Sequence, residues 1–334
     1  MAATPQTQGF LGGVTIAGRK FTVRGNPQFR ANRNIDVTGM IGTGYPYLYA
    51  EGVQTPTITM SIVPRASGDG CPFLESFLAC FLTRSAGIPT APVWETPLVI
   101  AVGATDPAPG SVSGLNLATA MANAGIVFSD GETITCMFGV KAESVRISTA
   151  KGQDLMFDVT FVGTCYKQFR WTNDNAFITA LNTLRFTASD CIAPLRFQSV
   201  TVSGDFADKV FGINLSWSNN HTPNMGLDGT VFPIAQNAGM PNAGLSLTLQ
   251  ALDSIPGDLL TPSSFSFTVL SIGIGSVTFT MPKPVVYNPY DRSAPMGRVL
   301  RNYNYTLLGD CTQPNVFAGS MVIPTYTGNF NDVA

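Results

Sequence analysis

The chain has 334 residues, 45% of them hydrophobic, so it can bury one large β core or two of ordinary size. Only 12% of the residues are charged and the formal net charge is −2. So few charges would leave a free monomer poorly soluble, and we expect other subunits to cover part of the surface. The sequence also argues against secretion and membrane spanning, because it shows neither a signal-peptide pattern nor a long uninterrupted apolar stretch.

The basic residues are concentrated near the N-terminus, where five of them and no acidic residue fall within the first 35 positions. Such asymmetry is typical of nucleic-acid binding, or of a basic edge on one subunit docking onto an acidic edge of another. The second interpretation is favoured, because the segment lacks the aromatic residues of an RNA-binding motif and the whole chain is acidic. The five residues are Arg19, Lys20, Arg24, Arg30 and Arg33.

The first half opens with predicted strands. The segment VTIAG at residues 14–18 begins a strand pair that runs to Arg24, and a polar, glycine-rich stretch follows from 25 to 52. A strand at 57–63 then has Ile58, Met60 and Ile62 on one face.

Residues 72–84 and 173–184 carry apolar residues at helical spacing, so each is predicted to be a helix that packs on a sheet. The stretch 86–130 between the first helix and the next strands is predicted to be an insertion that the second half lacks.

The clearest strand signal is a hairpin at residues 143–163. Val145 and Ile147 share one face of its first strand, and apolar residues alternate with Asp158 and Thr160 on its second. This period-two alternation is the signature of a strand with one buried face. The alternating apolar residues are Leu155, Phe157, Val159 and Phe161.

The second half repeats the order of these elements. A strand pair at 199–217 is a weaker copy of the hairpin, a polar stretch follows at 218–244, and the next strand has Leu245, Leu247 and Leu249 on one face. A final hairpin at 276–309 is broken by a predicted loop at 282–295. We therefore predict a tandem duplication. Its parts are a first β module at 10–168 with its insertion at 86–130, a helical connector at 169–189, and a second β module at 190–326.

No catalytic, cofactor-binding or metal-binding site can be assembled from the sequence, so no enzyme activity is expected. The lone histidine, His221, follows a strand in a polar segment and is expected in a solvated loop. Asp130 and Gly131 predict a hairpin turn rather than half of a catalytic carboxylate pair. Six cysteines without a CxxC pair are expected to be reduced and mostly buried. They are Cys71, Cys80, Cys136, Cys165, Cys191 and Cys311.

Residues 128–163 resemble a segment of the phage tail tube proteins. In that family an acidic-glycine turn leads into a strand, a corner, a short strand, and a long alternating strand that ends near a glycine. The corresponding features are Asp130-Gly131, the corner Gly139-Val140-Lys141, and residues 144–148 and 155–163. Residues 200–217 and 245–249 are similar to the same family, and the resemblance covers most of residues 10–310.

The resemblance implies a mainly β fold of two tandem sandwich or barrel modules, each with at most one flanking helix. It also implies a structural virion protein of the phage tail, made in the host bacterial cytoplasm. Subunits of such a protein pair their sheets edge to edge into rings, and stacked rings form the tail tube, the conduit for DNA ejection. The implied partners are further copies of the chain and other tail proteins. DNA transits the lumen without specific binding, and neither a cofactor nor a membrane is involved.

The two long polar stretches, 25–52 and 218–244, lie where members of the family reach from one ring to the next. Tyr45, Tyr47 and Tyr49 alternate in the first, which suits an extended arm that buries one face on a neighbour. The alternative is a loop folded on its own domain.

Charge and duplication lead to two further expectations. Phosphate contacts would slow DNA in the bore, so the five basic residues are predicted to face an adjacent ring rather than the lumen. Duplication predicts that three chains supply six modules, so a trimer with pseudo-six-fold symmetry is favoured over a hexamer.

Two other classes of protein share this composition. One is a different virion β-sandwich, such as a decoration, baseplate or capsid component. The other is a carbohydrate-binding β-sandwich with Trp94, Trp171 and Trp217 as stacking platforms, although Trp217 is in register with the apolar face of its predicted strand.

Overall fold

The computed structural model describes residues 13–16, 19–21, 23–38, 48–63, 99–100, 109–150, 153–170, 174–184, 196–202, 210–225, 231–237, 239, 242–250, 265–271, 275–281, 284–293 and 300–307. The strands, in chain order, are β1 (Gly13–Ile16), β2 (Arg19–Phe21), β3 (Val23–Thr38), β4 (Leu48–Ile62), β5 (Val99–Ile100), β6 (Ile126–Ser129), β7 (Thr133–Phe138), β8 (Val140–Ala150), β9 (Met156–Val162), β10 (Cys165–Arg170), β11 (Arg196–Val202), β12 (Val210–Ser218), β13 (Thr222–Asn224), β14 (Ala235–Asn237), β15 (Asn242–Gln250), β16 (Phe265–Ser271), β17 (Gly275–Met281), β18 (Pro284–Ser293) and β19 (Leu300–Leu307). The helices are a 3-10 helix (Pro109–Gly114), α1 (Leu117–Asn123) and α2 (Asn175–Leu184).

A large antiparallel sheet runs through both halves of the chain. Its order is β18-β19-β15-β12-β8-β9-β4-β3, and the short β5 pairs with β8 at one end. Since β12 belongs to the second half and β8 to the first, the two halves share one continuous hydrogen-bonded sheet.

Side chains alternate across this sheet, so one of its faces is apolar and the other polar. Phe157, Val159 and Phe161 of β9 are at most 1% exposed, while Asp158 and Thr160 between them point to the other face and are partly exposed. Burying each large apolar side chain contributes roughly 1.5–3 kcal/mol. The hairpin predicted at residues 143–163 is therefore confirmed as β8 and β9, with the predicted residues buried.

The apolar face of the large sheet packs on a second sheet of order β10-β7-β6-β1-β2. Phe29 of β3 marks the contact, because its ring centroid lies 5.7 Å from that of Phe128 in β6 and 5.0 Å from that of Tyr166 in β10. Phe128 is adjacent in sequence to Val127, and the two side chains point to opposite faces of the five-stranded sheet.

Helices cover the far face of that second sheet. Val127 and Ile134 share a buried cluster with Phe177 and Leu181 of α2. Gly13 permits the close approach of α2, because a Cβ at that position would collide with the carbonyl group of Leu184. The layers are thus helices, a five-stranded sheet and the large sheet, whose polar face points outward.

The prediction of a mainly β, sandwich-like fold is confirmed by these antiparallel sheets. The predicted helix at 173–184 is also confirmed as α2, packed on β1 and β6. The predicted helix at 72–84 lies outside the described residues. Within the described part of the chain, none of the helices has the length and apolar character needed to cross a membrane.

Three details of the sequence prediction are wrong. β11 and β12 do not pair with each other, as predicted for 199–217: β11 joins β16, while β12 joins β8 and β15. The predicted loop at 282–295 contains β18, which pairs with β19 despite its prolines. Part of the predicted insertion, 126–129, is the sheet strand β6. Each error arose where backbone pairing with a distant segment overrode a local turn or loop signal.

The two halves contain the same order of strands. The large sheet has β8-β9-β4-β3 in one half and β18-β19-β15-β12 in the other. The smaller sheets contain β1-β6-β7 and β11-β16-β17. The matching hairpins β8–β9 and β18–β19 even share a register shift, between Ala142 and Ser144 in β8 and between Val286 and Asn288 in β18.

Candidate functional site

The junction of β12 with β8 joins the two halves of the chain. Seven residue pairs connect the strands without a register shift, from Gly212 opposite Ala150 to Ser218 opposite Ser144. Leu215 and Ile147 face each other at its centre and are at most 1% exposed. The junction therefore has the apolar core and the regular ladder of an ordinary sheet interior.

The outward face of the large sheet carries mainly small hydroxyl and amide side chains. Around the junction it forms a depression of about 660 Å³. Such a surface offers many weak hydrogen-bonding groups and little net charge. Its lining residues on β12, β15 and β19 are Ser216, Ser218, Asn242, Gly244 and Thr306.

The charged groups in the depression have partners. Arg146 Nε donates to Asn214 Oδ1 across the junction at 3.0 Å, and Ser61 donates its hydroxyl hydrogen to Asp158 Oδ1. Arg146 also lies opposite Asp158 in the β8–β9 register. A positive and a negative charge thus lie side by side, which keeps the local field small.

Arg24 and Arg30 are the two predicted interface residues whose side chains the structure describes. Both are exposed, and β3 pairs them with Ser61 and Thr57, so they belong to the polar side of the large sheet. Arg24 Nη1 lies 3.4 Å from the sulfur of Met156.

The other predicted interface residues are described in backbone only or not at all. Arg19 and Lys20 lie in β2, Arg33 in β3 and Tyr49 in β4, where Tyr49 pairs with Val37. Tyr45 and Tyr47 lie outside the described residues. Trp217 is on β12 opposite Val145, in register with the buried Leu215, while Trp94 and Trp171 lie outside the described residues.

The stretch 25–52 is not the glycine-rich loop that its composition predicts, since most of it belongs to β3 and β4. β9 pairs with β4 only over residues 57–62, while β3 continues to pair with β4 as far as Leu48. Residues 31–38 and 48–56 thus form a two-stranded ribbon that runs past the end of β9. The described residues of the predicted arm are therefore paired strands, and residues 39–47 between them lie outside the described residues.

Several described residues of the second stretch, 218–244, bond to the first half of their own chain. Asn219 donates from its backbone to the Glu143 carbonyl and from its side chain to the Ala142 carbonyl, both at 2.8 Å. Gln236 donates to the Gly163 carbonyl at 2.9 Å, and Lys141 Nζ donates to the Gln236 carbonyl at 2.6 Å. These contacts favour the alternative interpretation, a loop folded on its own chain, over an arm that reaches outward.

His221 lies in an irregular segment after β12, as predicted, but its side chain is buried, so the expectation of solvent exposure is wrong. Its side chain is 0% exposed, and Nδ1 lies 2.8 Å from Oε2 of Glu143. An ionised carboxylate only accepts hydrogen bonds, so Nδ1 carries the shared hydrogen. The backbone N–H of His221 donates to the same oxygen at 2.9 Å.

The environment of Glu143 lowers the pKa of its carboxyl group. Burial alone would raise the pKa of this carboxyl, but the hydrogen bonds and the charge of His221 outweigh burial and hold the pKa below its usual value. Glu143 is the unpaired residue at the β8 register shift, so the bulge points its side chain at the loop. Sequence reasoning missed this pair because 78 residues separate its members.

Two cysteines agree with the prediction of buried reduced thiols. Cys136 and Cys165 are both buried and neither is in a disulfide, and burial raises the pKa of the Cys136 thiol to about 12 despite the opposing charge of Lys167. The other four cysteines lie outside the described residues. The predicted turn at Asp130-Gly131 is confirmed, because Gly131 has a φ of 98° and the Asp130 carboxylate accepts hydrogen bonds from Glu132 and Thr133.

Across the described ranges, histidine, cysteine, aspartate and glutamate side chains form no group of three or more that could hold a metal ion. The most distinctive surfaces of the described chain are the polar face of the large sheet and its two outer strands, β3 and β18. No family model matches this chain, and no curated protein matches it.

Proposed function

We propose that this chain is a structural virion protein that polymerises into stacked rings and forms the tail tube of a phage, the conduit for genome ejection. The observation that carries the proposal is the continuation of one large sheet from the second half into the first through β12 and β8. A sheet extended in this way by one module can be extended again by the next.

The repeated strand order supports a tandem duplication within the chain. A four-stranded unit of the same order occurs twice in the large sheet, and a three-stranded unit of the same order occurs twice outside it. The matching register shifts in β8 and β18 add a detail that strand order alone does not require. We assign the repeats to residues 10–168 and 190–326, with α2 between them.

The two units are arranged head to tail. In the order of the sheet, the second-half unit runs from β18 to β12 and the first-half unit runs from β8 to β3, so β12 pairs with β8 where the units meet. A contact between unlike edges leaves another pair of unlike edges open at the ends, and such contacts close into rings when the rotation between units permits. Closure would also remove exposed strand edges, which are an aggregation hazard.

The polar face of the sheet is suited to line a bore. Hydroxyl and amide side chains dominate the depression at the junction, and its Arg146 and Asp158 offset each other. A lining of this kind gives DNA phosphates few strong contacts, so DNA would pass without sticking. In this arrangement Arg24 and Arg30 belong to the bore side, so we restrict the proposed inter-ring contacts to Arg19, Lys20, Arg33, Tyr45, Tyr47 and Tyr49.

Three chains would supply six units to such a ring, and we favour this trimer with pseudo-six-fold symmetry. The ribbon of β3 and β4 would extend from the ring toward its neighbour, carrying Tyr49 and the segment with Tyr45 and Tyr47. The partners are other copies of the chain and other tail proteins, and assembly would take place in the cytoplasm of a bacterial host.

Negative-stain microscopy of the purified full chain tests the proposal. Tubes of stacked rings with a central channel are expected, and cryo-EM of those tubes counts the chains per ring. Closed particles without a bore would favour a decoration, baseplate or capsid component instead. A monodisperse monomer at high concentration would contradict any assembly role and return the carbohydrate-binding alternative to consideration.

A further inference from the structure

We infer that β3 of one copy pairs antiparallel with β18 of a second copy, in the register of the β12–β8 junction, which places Arg30 opposite Asp291 of the neighbour. This inference rests on the proposed ring assembly and specifies the seam between its chains. Its partner is a second copy of this chain, and its template is a contact already present inside each copy.

The outer strands are the counterparts of the two strands at the internal junction. In the large sheet β3 lies next to β4 at the end of the first-half unit, and β12 lies next to β15 at the end of the second-half unit, so β3 corresponds to β12. In the same way β18 corresponds to β8, because β18 forms a hairpin with β19 and β8 forms a hairpin with β9. Within the described residues, no strand covers the outer side of β3 or β18.

The register of each correspondence follows from shared partners. The register shift of β8 directly follows Ala142, and that of β18 directly follows Val286, so these two residues correspond. Ala142 pairs with Phe161 and Val286 pairs with Tyr305, so Phe161 corresponds to Tyr305. Phe161 pairs onward with Ile58, and Tyr305 pairs onward with Leu245.

The same chain of pairings reaches the edge strands. Ile58 pairs with Phe29 of β3, and Leu245 pairs with Leu215 of β12, so Phe29 corresponds to Leu215. It follows that Arg30 corresponds to Ser216. On β18, Asp291 corresponds to Arg146 of β8. Asp291 pairs with Asn302 and Arg146 pairs with Asp158, and these partners lie the same number of positions before Tyr305 and Phe161.

Transferring the internal register gives the seam. Ser216 lies opposite Arg146 and Ser218 lies opposite Ser144 at the junction. The corresponding pairs between copies are Arg30 with Asp291, and Asn32 with Asn288.

Charge and backbone both agree with this register. Arg30 is an exposed cation on the polar side of β3, and the transferred register brings a carboxylate residue opposite it. Opposite charges facing each other across strands stabilise the pair, while like charges destabilise it. Pro27 and Pro289 lack the N–H that a ladder needs, but both lie at register shifts, where the regular ladder is already interrupted.

Cross-linking of a double cysteine variant of the full chain tests the seam. Arg30→Cys with Asp291→Cys should form a disulfide between copies under mild oxidation, because directly opposite residues in an antiparallel pair lie within disulfide range. The expected result is a series of covalent oligomers that ends at a closed ring, seen on a non-reducing gel and lost on reduction. Either single cysteine variant should stop at a disulfide-linked dimer or give no product, and serves as the matched control.

Charge reversal provides a second measurement that does not depend on oxidation. Arg30→Asp should abolish tubes in the microscope, and the double variant Arg30→Asp with Asp291→Arg should restore them. Arg170→Asp, which reverses an exposed cation on β10 of the five-stranded sheet, controls for a general effect of charge reversal and should leave the tubes intact. Failure of the compensating change to restore tubes, with both variants folded by circular dichroism, would overturn the register.

The outcomes separate this inference from the proposed function. Wild-type tubes together with no covalent oligomers from the double cysteine variant would overturn the seam while leaving the tube intact. A wild-type chain that forms no rings at all would overturn both. Covalent closed oligomers of any size support the seam, and their size gives the number of chains per ring.

Discussion

Nδ1 of His221 lies 2.8 Å from Oε2 of Glu143 and connects the loop after β12 to the bulge of β8. The contact therefore joins the second half of the chain to the first at one end of their shared junction. Asn219, two residues earlier, bonds the carbonyls of Ala142 and Glu143 beside it. Side-chain and backbone hydrogen bonds thus secure a junction whose strands contribute the apolar packing.

Replacing Glu143 with Gln should destabilise the chain by about 1.5–3 kcal/mol at neutral pH, the usual range for a hydrogen bond to a charged group. Because the folded-state pKa lies below the ordinary value, the stabilisation is present above pH 4.5 and is lost as the pH falls through the lowered pKa. Urea unfolding midpoints measured from pH 7 to pH 3 should therefore show the variant and the wild type converging in acid. The exposed Glu132→Gln is the control, and a difference that stayed constant with pH would contradict this assignment.

Truncation of Phe161 tests which face of the large sheet is core. Phe161→Ala should lower the free energy of unfolding by roughly 3–5 kcal/mol, because the side chain is fully buried and its removal leaves a cavity. The adjacent Thr160→Ala, on the polar face, should change it by less than about 0.5 kcal/mol. Chemical denaturation of both variants makes the comparison, and equal losses would argue against the alternation described for β9.

Gly139 sits at the corner between β7 and β8 with a φ of 57°, a conformation that costs other residues about 1–2 kcal/mol. A Cβ there would also collide with the side chain of Thr164. Gly139→Ala should therefore reduce the thermal midpoint clearly in a calorimetric scan. Gly114→Ala, where a Cβ meets open space, is expected to leave it nearly unchanged.

Removal of residues 39–47 tests the arm. Replacing them with Asn-Gly joins Thr38 to Leu48, which pair with each other in the ribbon, by a two-residue turn and should leave a folded chain. We expect this variant to lose stacking into tubes in negative stain, with circular dichroism unchanged. Tubes of normal length from the variant would rule out the arm as the inter-ring contact.

Particular residues illustrate how far local pattern reaches in this chain. The alternation of Phe157, Val159 and Phe161 predicted both β9 and its buried face, and Asp130-Gly131 predicted the turn between β6 and β7. These features depend on side chains within a few positions of each other, so the sequence alone determines them.

Tertiary structure decided which strand lies beside which. β11 and β12 are neighbours in sequence but belong to different sheets, and β12 instead pairs with β8 across nearly 70 residues. Every residue except proline carries the same backbone N–H and C=O groups, so the local sequence of a strand does not specify which strand it pairs with. The choice depends on which apolar faces can be buried together, as when Leu215 meets Ile147. That requirement is met only when the whole chain has folded. For the same reason the sequence alone does not predict the pair of Glu143 and His221.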